Sequence, residues 1–300
     1  MFVNDIREKI DISIVIVNYN TWDLLLNCIS SIYEKTFGVS FEIIVVDNNS
    51  LDGIPICALE KYPDVKYLYL DQNKGFGKAN NEALKYTNGE YVCFLNPDTV
   101  LINNALLILF CYLQQNKNVG ICGANLYTEQ LNPNMSYANF PSLCKELLSV
   151  FGVIRQKVEM SSVFNFGSSK VIDGYISGAD IFIRRNLLSN FAFDPDFFMY
   201  YEDVELSYRI KKKGFEIHSV SDAKIIHLQG MSLEKLNDGK ISTILFLIKS
   251  KLLYFKKVSK YSCLIYMAYY VKSIFAIIYF SMIGNEKRVK FWTSFYKSVF

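Results

Sequence analysis

The stretch "YVCFLNPDTV", residues 91–100, joins an apolar run to an abrupt polar ending. Five residues of strand type lead directly into Asn96-Pro97-Asp98. Proline fixes its own φ angle, which would aim Asp98 outward from the end of the strand. A carboxylate in that place suits a hard divalent cation, Mg²⁺ or Mn²⁺, which takes oxygen ligands. The alternative is a type I turn that begins at Asn96, in which proline at the second position is ordinary.

Strand and helix signals alternate along the chain around this stretch. Apolar, β-branched runs that are typical of buried strands cover residues 12–19, 41–50, 65–70, 91–95 and 119–127. Helical spacing of apolar residues follows Thr21, which is placed to cap that helix, and helical patterns also cover 77–87 and 103–116. This alternation predicts an α/β fold with an open, mainly parallel sheet and helices on both faces.

Polar residues follow four of the predicted strands at the point where each strand ends. These clusters are Asn18-Tyr19-Asn20, Asp47-Asn48-Asn49-Ser50, Asp71-Gln72-Asn73 and Asn96-Pro97-Asp98. Any one of them alone is ordinary turn chemistry. Together they fall at the carboxyl ends of strands, where open α/β sheets bind their ligands. The sequence therefore predicts a ligand site at this edge of the sheet.

Two common nucleotide-binding motifs are missing. A dinucleotide fold should carry G-x-G-x-x-G after the first strand, where this chain has "NYNTWD". The stretch "NKGFGKAN", residues 73–80, fails as a P-loop because Gly77-Lys78 is followed by Ala79 and because the upstream glycine is absent. Dinucleotide oxidoreductases and P-loop NTPases are therefore disfavoured.

Residues 171–232 carry the second group of candidate site residues. Gly178 and Ala179 are small, which suits either close approach of a ligand or close packing of a strand. Glu202 and Asp203 begin a predicted helix after an aromatic run, and a carboxylate beside apolar rings is a plausible general base. Acids also favour helix starts through the dipole, so their presence alone does not require a function. His227 lies at the end of a short apolar strand, before a loop with Gly230 and Ser232.

The charge of the chain divides it into two parts. Residues 240–300 hold eleven Lys or Arg and one acid, Glu286, so this segment is +10 and residues 1–239 carry −7 of the net +3. The seven cysteines include no C-x-x-C pair, which favours reduced, buried thiols over disulfides or a zinc site. We expect no signal peptide, because charged residues interrupt the first eleven positions.

The motifs in their order resemble inverting family 2 glycosyltransferases, and most of all the bacterial rhamnosyltransferase-like group. The matching stretches are "VIVNYN", "VVDNNS", "NKGFGKANNEAL", "FLNPDT", "SGADIFIRR", "FFMYYEDVELSYRIKKKG" and "HLQGMS", which together span about residues 10–235. The resemblance implies a GT-A fold over residues 1–239. Its nucleotide-binding half would be about 10–127 and its acceptor half about 128–239. It also implies a nucleotide-diphosphate sugar donor, dTDP- or UDP-linked, and a divalent cation, Mg²⁺ or Mn²⁺.

The resemblance assigns a role to each matching position. The implied donor-binding residues are Asn18, Tyr19, Asp47, Asn49, Asn73, Gly75, Phe76, Asn80, Asn96 and Asp98. Asn96-Pro97-Asp98 stands where the family has D-x-D, so Asp98 and His227 would bind the metal and one carboxylate is lost. Asp203 would be the general base, with Glu202 as the second choice. The implied reaction moves rhamnose or a hexose to a polysaccharide or lipid-linked saccharide, with inversion at the anomeric carbon.

The basic, aromatic C-terminal region, residues 240–300, is expected to form a helical appendage. Lys272 divides its apolar run into uncharged pieces of residues 261–271 and 273–284, each short of the roughly 18 residues that a spanning helix needs. We expect a pair of helices that packs on the enzyme and enters the membrane interface, and a solvated helical subdomain is the alternative. This places the protein in the cytoplasm, on the inner face of the membrane, near an acceptor such as a polyprenyl-diphosphate-linked saccharide. No nucleic-acid-reading motif is present.

Two other functions compete with sugar transfer. A sugar nucleotidyltransferase would need a glycine-rich, basic loop after the first strand, which "NYNTWD" does not supply. A non-catalytic assembly protein of a polysaccharide pathway would keep the fold and bind membrane, and it would tolerate the loss of Asp98 and Asp203.

Overall fold

The structure is a computed structural model that describes residues 9–52, 60–154, 159–228 and 239–300, with the backbone alone for 239–242. The chain divides into two compact units. The first comprises residues 1–139, 159–198 and 202–235, and the second comprises 140–158, 199–201 and 236–300. The predicted boundary at residue 239 stays a prediction. The loop residues Gly230 and Ser232 lie outside the described residues.

Eleven strands and four helices of the first unit are described. The strands are β1 Ile12–Asn18, β2 Phe41–Asp47, β3 Lys66–Tyr69, β4 Tyr91–Leu95, β5 Thr99–Leu101, β6 Val119–Tyr127, β7 Tyr137–Asn139, β8 Lys170–Val171, β9 Gly174–Ile176, β10 Asp180–Arg184 and β11 Glu216–His227. The helices are α1 Trp22–Lys35, α2 Phe76–Leu84, α3 Ala105–Gln115 and α5 Glu202–Lys212. Short 3₁₀ helices cover Met160–Ser162 and Arg185–Leu187.

One large mixed sheet organises the first unit. Its strand order is β3-β2-β1-β4-β10-β6-β11-β5, and β8 pairs with β11. The pairings β1–β2, β1–β4, β2–β3 and β6–β11 are parallel and hold most of the paired positions. β10 lies antiparallel between β4 and β6. The predicted α/β class with a mainly parallel sheet is confirmed.

Burial along β1 explains why this strand reads as an unbroken apolar run. All seven of its residues are buried. Ile12, Ile14 and Ile16 belong to the core that α1 and α3 cover, whereas Val15 and Val17 are buried outside that cluster, on the alternate face. A strand covered on both faces loses the polar alternation of a half-exposed strand.

Helix α1 begins as predicted at Trp22, but the predicted side-chain cap by Thr21 is wrong. The Thr21 hydroxyl donates instead to the Asn18 side-chain oxygen, at 2.9 Å. Both residues are buried, so the Asn18 oxygen needs a hydrogen-bond donor from within the protein, and the Thr21 hydroxyl supplies it.

The second unit is helical in its described part. Its helices are α4 Leu143–Val150, α6 Gly239–Val258, α7 Ser262–Met282 and α8 Glu286–Val299. Buried Glu146 of α4 accepts hydrogen bonds from Lys251 Nζ at 2.7 Å and from the Tyr269 hydroxyl at 2.9 Å. This buried acid explains how a strongly basic segment can pack around α4.

The predicted pair of C-terminal helices is corrected to three. Helix α7 also runs without interruption through Lys272, so the charge does not divide it as the sequence suggested. Within the described residues, α7 is the one helix that is long and apolar enough to cross a membrane by length and composition.

The cysteines of the described region form no disulfides, as predicted. Cys28, Cys93 and Cys122 are buried, and burial raises the pKa of each thiol. Cys111 is partly buried, whereas Cys144 and Cys263 are exposed, so the expectation of burial is wrong for these two. Cys57 lies outside the described residues.

Candidate active site

The ends of β1 and β2 are joined by a network around Asp47. The Asn18 amide donates to Asp47 Oδ2 and to Ser50 Oγ, each at 3.1 Å. The backbone N–H of Ser50 donates to Asp47 Oδ1 at 2.8 Å. Asn18 and Asp47 are adjacent in the parallel register, which is why two residues far apart in sequence meet here. The Asp47 carboxylate is thereby held in one orientation at the sheet edge.

A second network continues from the end of β2 to the start of α2. Buried Asn48 donates from its amide to the Asn73 side-chain oxygen at 3.0 Å, and it accepts the Lys74 N–H at 2.9 Å. The same Asn73 oxygen accepts the Gly75 N–H at 2.9 Å. Asn48, Asn73 and Gly75 therefore form one rigid turn beside Asp47.

The backbone of Phe198 comes so close to residue 75 that this position requires glycine. Its φ is +81°, and a Cβ built on it would lie 2.2 Å from the carbonyl oxygen of Phe198. The next N–H, of Phe76, donates to that same oxygen at 3.1 Å. Asn80 is buried one turn further along α2 and donates to the Phe76 carbonyl at 3.0 Å. The start of α2 is thus tied to the segment that precedes α5.

Two residues predicted to bind the nucleotide-sugar donor, Tyr19 and Asn49, are held by fewer hydrogen bonds. Tyr19 is partly buried, whereas Asn49 is exposed with a left-handed backbone at φ +65°. Within the described residues, neither side chain joins the hydrogen-bond networks around Asp47 and Asn48. Asn48, which carries the network, had no role in the sequence prediction although it lies in the same stretch.

Asp98 and His227 meet at the carboxyl ends of β4 and β11. β5 pairs antiparallel with β11, so that His227 is opposite Thr99 and the Leu228 N–H donates to the Asp98 carbonyl at 3.0 Å. His227 Nε2 lies 3.4 Å from Asp98 Oδ1 and 3.5 Å from the Asn96 amide nitrogen. Asp98 and His227 are both buried. The register thus places three predicted residues together.

The turn interpretation of Asn96-Pro97-Asp98 holds at the same time. Residues 97 and 98 form a turn, and the Thr99 hydroxyl donates to the Asn96 carbonyl at 2.7 Å. Turn chemistry and the placement of Asp98 are therefore not alternatives, because the turn is what carries the carboxylate to the side chain of His227.

The potential ligand atoms around Asp98 fit a divalent cation that a diphosphate also binds. Carboxylate oxygen and imidazole nitrogen both serve Mn²⁺, and Mg²⁺ commonly keeps only one or two protein carboxylates. No group of three or more His, Cys, Asp or Glu that could hold a metal occurs in the described part of the chain. A site with two protein ligands leaves positions for phosphate oxygens and water. Asn134, which sequence analysis missed, donates to the His227 carbonyl at 3.3 Å.

The carboxyl groups of Glu202 and Asp203 have different environments. Asp203 Oδ2 accepts the Gly178 N–H at 3.0 Å, and its Oδ1 accepts the Val204 N–H at 2.8 Å. Buried Glu202 keeps one carboxyl oxygen, Oε2, with no hydrogen-bond partner among the described residues. Burial raises the pKa of both groups, and the nearby Asp203 charge raises that of Glu202 further. Amide donors favour an ionised Asp203, whereas Glu202 has a stronger tendency to stay neutral.

Gly178 lies against the Asp203 carboxylate. A Cβ added to it would lie 3.5 Å from Asp203 Oδ2, an ordinary van der Waals distance, so this position has room for a small side chain. Asp180, which is fully buried, follows two residues later and accepts the Ala124 N–H at 2.5 Å. Its burial raises its pKa well above that of an ordinary aspartate. Asp180 had no role in the sequence prediction.

Comparisons with known proteins match this architecture. The family described as Glycosyl transferase family 2 matches residues 13–172. The chain is 28% identical over 199 residues to Rhamnosyltransferase WbbL of Escherichia coli (strain K12), covering 62% of this chain and 72% of that protein. It is 25% identical over 201 residues to the N-acetylglucosaminyl-diphospho-decaprenol L-rhamnosyltransferase of Mycobacterium tuberculosis (strain H37Rv), covering 62% and 66%.

Two further likenesses extend the comparison. A low-salt glycan biosynthesis hexosyltransferase, Agl10 of Haloferax volcanii, is 24% identical over 225 residues, covering 73% of this chain and 67% of that protein. The crystal structure of GalNAc-T7 with UDP, GalNAc and Mn²⁺ superposes with a TM-score of 0.54 at 16% identity, covering 74% of this chain and 44% of that one. At that identity the superposition shows the fold alone, and it confirms the predicted GT-A architecture.

Proposed function

Because this chain belongs to glycosyl transferase family 2, we propose that it is a metal-dependent, inverting enzyme acting on a nucleotide-diphosphate sugar. It is a glycosyltransferase, and the sugar moved is rhamnose or a hexose. The rhamnosyltransferases of E. coli and M. tuberculosis and the hexosyltransferase of H. volcanii support these two donor classes. A dTDP-sugar fits the first class and a UDP-sugar fits the second.

The nucleotide is bound at the edge formed by β1, β2 and the start of α2. Asp47 presents fixed oxygens there, because each of its two carboxylate oxygens is held by one hydrogen bond from a neighbour and keeps a lone pair for the nucleotide. Such fixed acceptors suit ribose hydroxyls and the N–H groups of a pyrimidine. The Asn73 oxygen already accepts two N–H groups, so Asn73 contributes by fixing the turn beside Asp47. Asn18 sets the orientation of Asp47, and Tyr19, Asn49, Gly75, Phe76 and Asn80 complete the surroundings.

Asp98 and His227 would hold the divalent cation, with Asn96 beside them. When bound, the cation neutralises the negative charge that grows on the departing diphosphate. The protein's own part is to keep the carboxylate and the imidazole facing each other, and the pairing of β5 with β11 does this.

Asp203 is the general base. Its carboxylate accepts the proton of an acceptor hydroxyl while that oxygen attacks the anomeric carbon from the face opposite the diphosphate, which inverts the configuration. The N–H groups of Gly178 and Val204 hold its orientation. Glu202 stays protonated next to it, so that two adjacent negative charges are avoided.

The acceptor is a polysaccharide or a lipid-linked saccharide. One relative is named for a rhamnosyl transfer to a diphospho-decaprenol-linked sugar, which supports a polyprenyl-diphosphate-linked acceptor. Such an acceptor lies at the membrane, and we propose that the enzyme works in the cytoplasm, on the inner face of the membrane. The helices α6, α7 and α8, which belong to the basic segment of residues 240–300, provide the contact.

The observation that carries the proposal is the approach of His227 Nε2 to Asp98 Oδ1. The test is the melting temperature of the purified protein with UDP, dTDP, GDP or ATP, each with and without Mn²⁺. A ligand that binds only the folded state raises the melting temperature. We expect a Mn²⁺-dependent rise with one pyrimidine diphosphate, and no rise in Asp98→Ala. A folded protein that responds to no nucleotide would favour a non-catalytic assembly protein instead.

A further inference from the structure

Helix α7 presents a continuous apolar stripe to the outside of the second unit. Its members recur at intervals of three or four residues, which places them on one face of the helix. They are Leu264, Met267, Val271, Phe275, Ile278 and Met282, and their exposed fractions are 46%, 63%, 37%, 69%, 53% and 81%. No charged residue belongs to this stripe. Large contiguous apolar surfaces of this kind mark interaction sites.

The opposite face of α7 is packed and carries the polar groups of the helix. Ile265, Tyr269 and Ser273 are buried there. The Tyr269 hydroxyl donates to Glu146 at 2.9 Å, and Lys272 Nζ donates to the carbonyl of Val150 at 2.8 Å, at the end of α4. Lys272 therefore points away from the stripe, which explains how an apolar face survives a lysine in the middle of the helix.

Exposed cations flank both ends of the stripe. Lys260 lies in the turn before α7, and Lys287, Arg288 and Lys290 follow it at the start of α8. The single acid between residues 240 and 300 is Glu286. An apolar stripe between basic ends is complementary to an anionic lipid surface, where rings and aliphatic chains enter the acyl boundary and cations meet the headgroups.

We propose that α7 lies parallel to the surface of an anionic bilayer, with this stripe inserted into the acyl boundary. The inference deepens the membrane location proposed above by assigning its contact residues and its orientation. The stripe is about 27 Å long at the rise of an α-helix, enough to lie along the surface over its whole length. The occupant of this surface is the bilayer itself.

Two other arrangements are disfavoured by the same residues. A spanning α7 would bring the groups bonded to its packed face, among them Glu146 and Lys251, toward hydrocarbon, where charges are costly. A second copy of the chain, paired stripe to stripe, would bring basic ends together in either the parallel or the antiparallel sense.

The first test is flotation of the full chain with vesicles of neutral phosphatidylcholine or of phosphatidylcholine containing 30% phosphatidylglycerol. We expect binding to the anionic vesicles that weakens at high salt. Phe275→Glu should lower the partition coefficient by about tenfold or more. Phe37→Glu is the matched control, because Phe37 is 68% exposed and Phe275 is 69% exposed. Equal loss in both variants, or no binding by the parent protein, would overturn the proposal.

The second test measures depth with brominated lipids in three variants, Leu264→Trp, Phe275→Trp and Met282→Trp. A helix parallel to the surface gives all three residues the same shallow depth. A deep central residue between two shallow ends would instead mean that α7 spans the bilayer, and a soluble dimer without vesicle binding would mean self-association. Transfer to a soluble acceptor, measured in parallel, separates the two proposals: activity without flotation contradicts this inference alone, and flotation without activity contradicts the proposed reaction alone.

Discussion

The candidate site has two parts, one around Asp47 and Asn48 and one around Glu202 and His227. Their polar groups find hydrogen-bond partners in different ways. Around Asp47 and Asn48, side chains bond to one another and to the backbone, and the network is complete within the protein. Around Glu202 and His227, buried polar atoms lack partners among the described residues. A buried polar group without a partner costs stability. The part around Asp47 and Asn48 is therefore organised before any ligand arrives. The part around Glu202 and His227 keeps polar atoms available for substrate, proton or metal.

The sharpest test of this difference is Asp203→Asn. We expect kcat to fall about 10³-fold, because the variant keeps the shape of the side chain but cannot accept the proton. The melting temperature should fall slightly, because the amide nitrogen that replaces one carboxylate oxygen cannot accept the N–H of Gly178 or Val204. Steady-state kinetics and thermal unfolding check both parts. Glu202→Gln is the companion variant, for which we expect a smaller loss of kcat. Activity within tenfold of the parent in Asp203→Asn would remove Asp203 from the role of base.

The next largest effect is expected for His227→Ala. Loss of one of two protein ligands should raise the Mn²⁺ concentration for half-maximal activity by about 10–100-fold. His218→Ala is the control, because the chain has two histidines and His218 is held elsewhere by Tyr112 and Glu216. The measurement is activity over a Mn²⁺ titration. The same change in both variants would show that the effect comes through stability and not through the metal.

Asn48→Ala tests the hydrogen-bond network around Asp47 and Asn48. It removes the acceptor of the Lys74 N–H and one of the two donors to the Asn73 oxygen, so the free energy of unfolding should fall by about 2 kcal/mol. Denaturant unfolding at constant m-value measures it. Asn49→Gly is the neighbouring control, since the Asn49 side chain is exposed and glycine accepts its φ of +65°. If Asn48→Ala is as stable as this control, the network around Asn48 does not stabilise the fold.

The smallest expected effect needs no substitution. Because burial raises the pKa of Asp203, activity should fall about tenfold per pH unit below a point that lies above the usual aspartate range. Stability should move in the opposite direction. The native state binds protons there that the unfolded state does not, so the free energy of unfolding rises as pH falls through the raised pKa values. Parallel pH profiles of activity and melting temperature check the sign.

Much of the first unit could be predicted from the sequence because buried parallel strands are continuous apolar runs with polar ends. β1, β2, β4 and β6 were located in this way, and the edge they form collects Asn18, Asp47 and Asn73. The pairing of Asp98 with His227 depends on the resemblance to a family. His227 lies 129 positions after Asp98, and residue types alone do not indicate which side chain a single histidine will contact.

Other features could not be predicted, for identifiable physical reasons. The antiparallel place of β10 between β4 and β6 depends on long-range pairing, which local periodicity does not encode. The Thr21 hydroxyl had two possible partners, and tertiary packing chose Asn18 over the helix. Lys272 looked like an interruption of an apolar run because sequence gives its position but not the direction of its side chain, which is toward Val150.

The position of β10 has a consequence for biosynthesis. β4 is complete at Leu95, but its neighbour on one side is β10, in which Asp180 pairs with Leu95. About 90 further residues must leave the ribosome first, which takes on the order of 5–20 s. During that interval the edge of an apolar strand has no partner, and such an edge readily pairs with other chains. Nascent protein released early should therefore need chaperones, and slower translation before residue 184 should lower the yield of soluble enzyme.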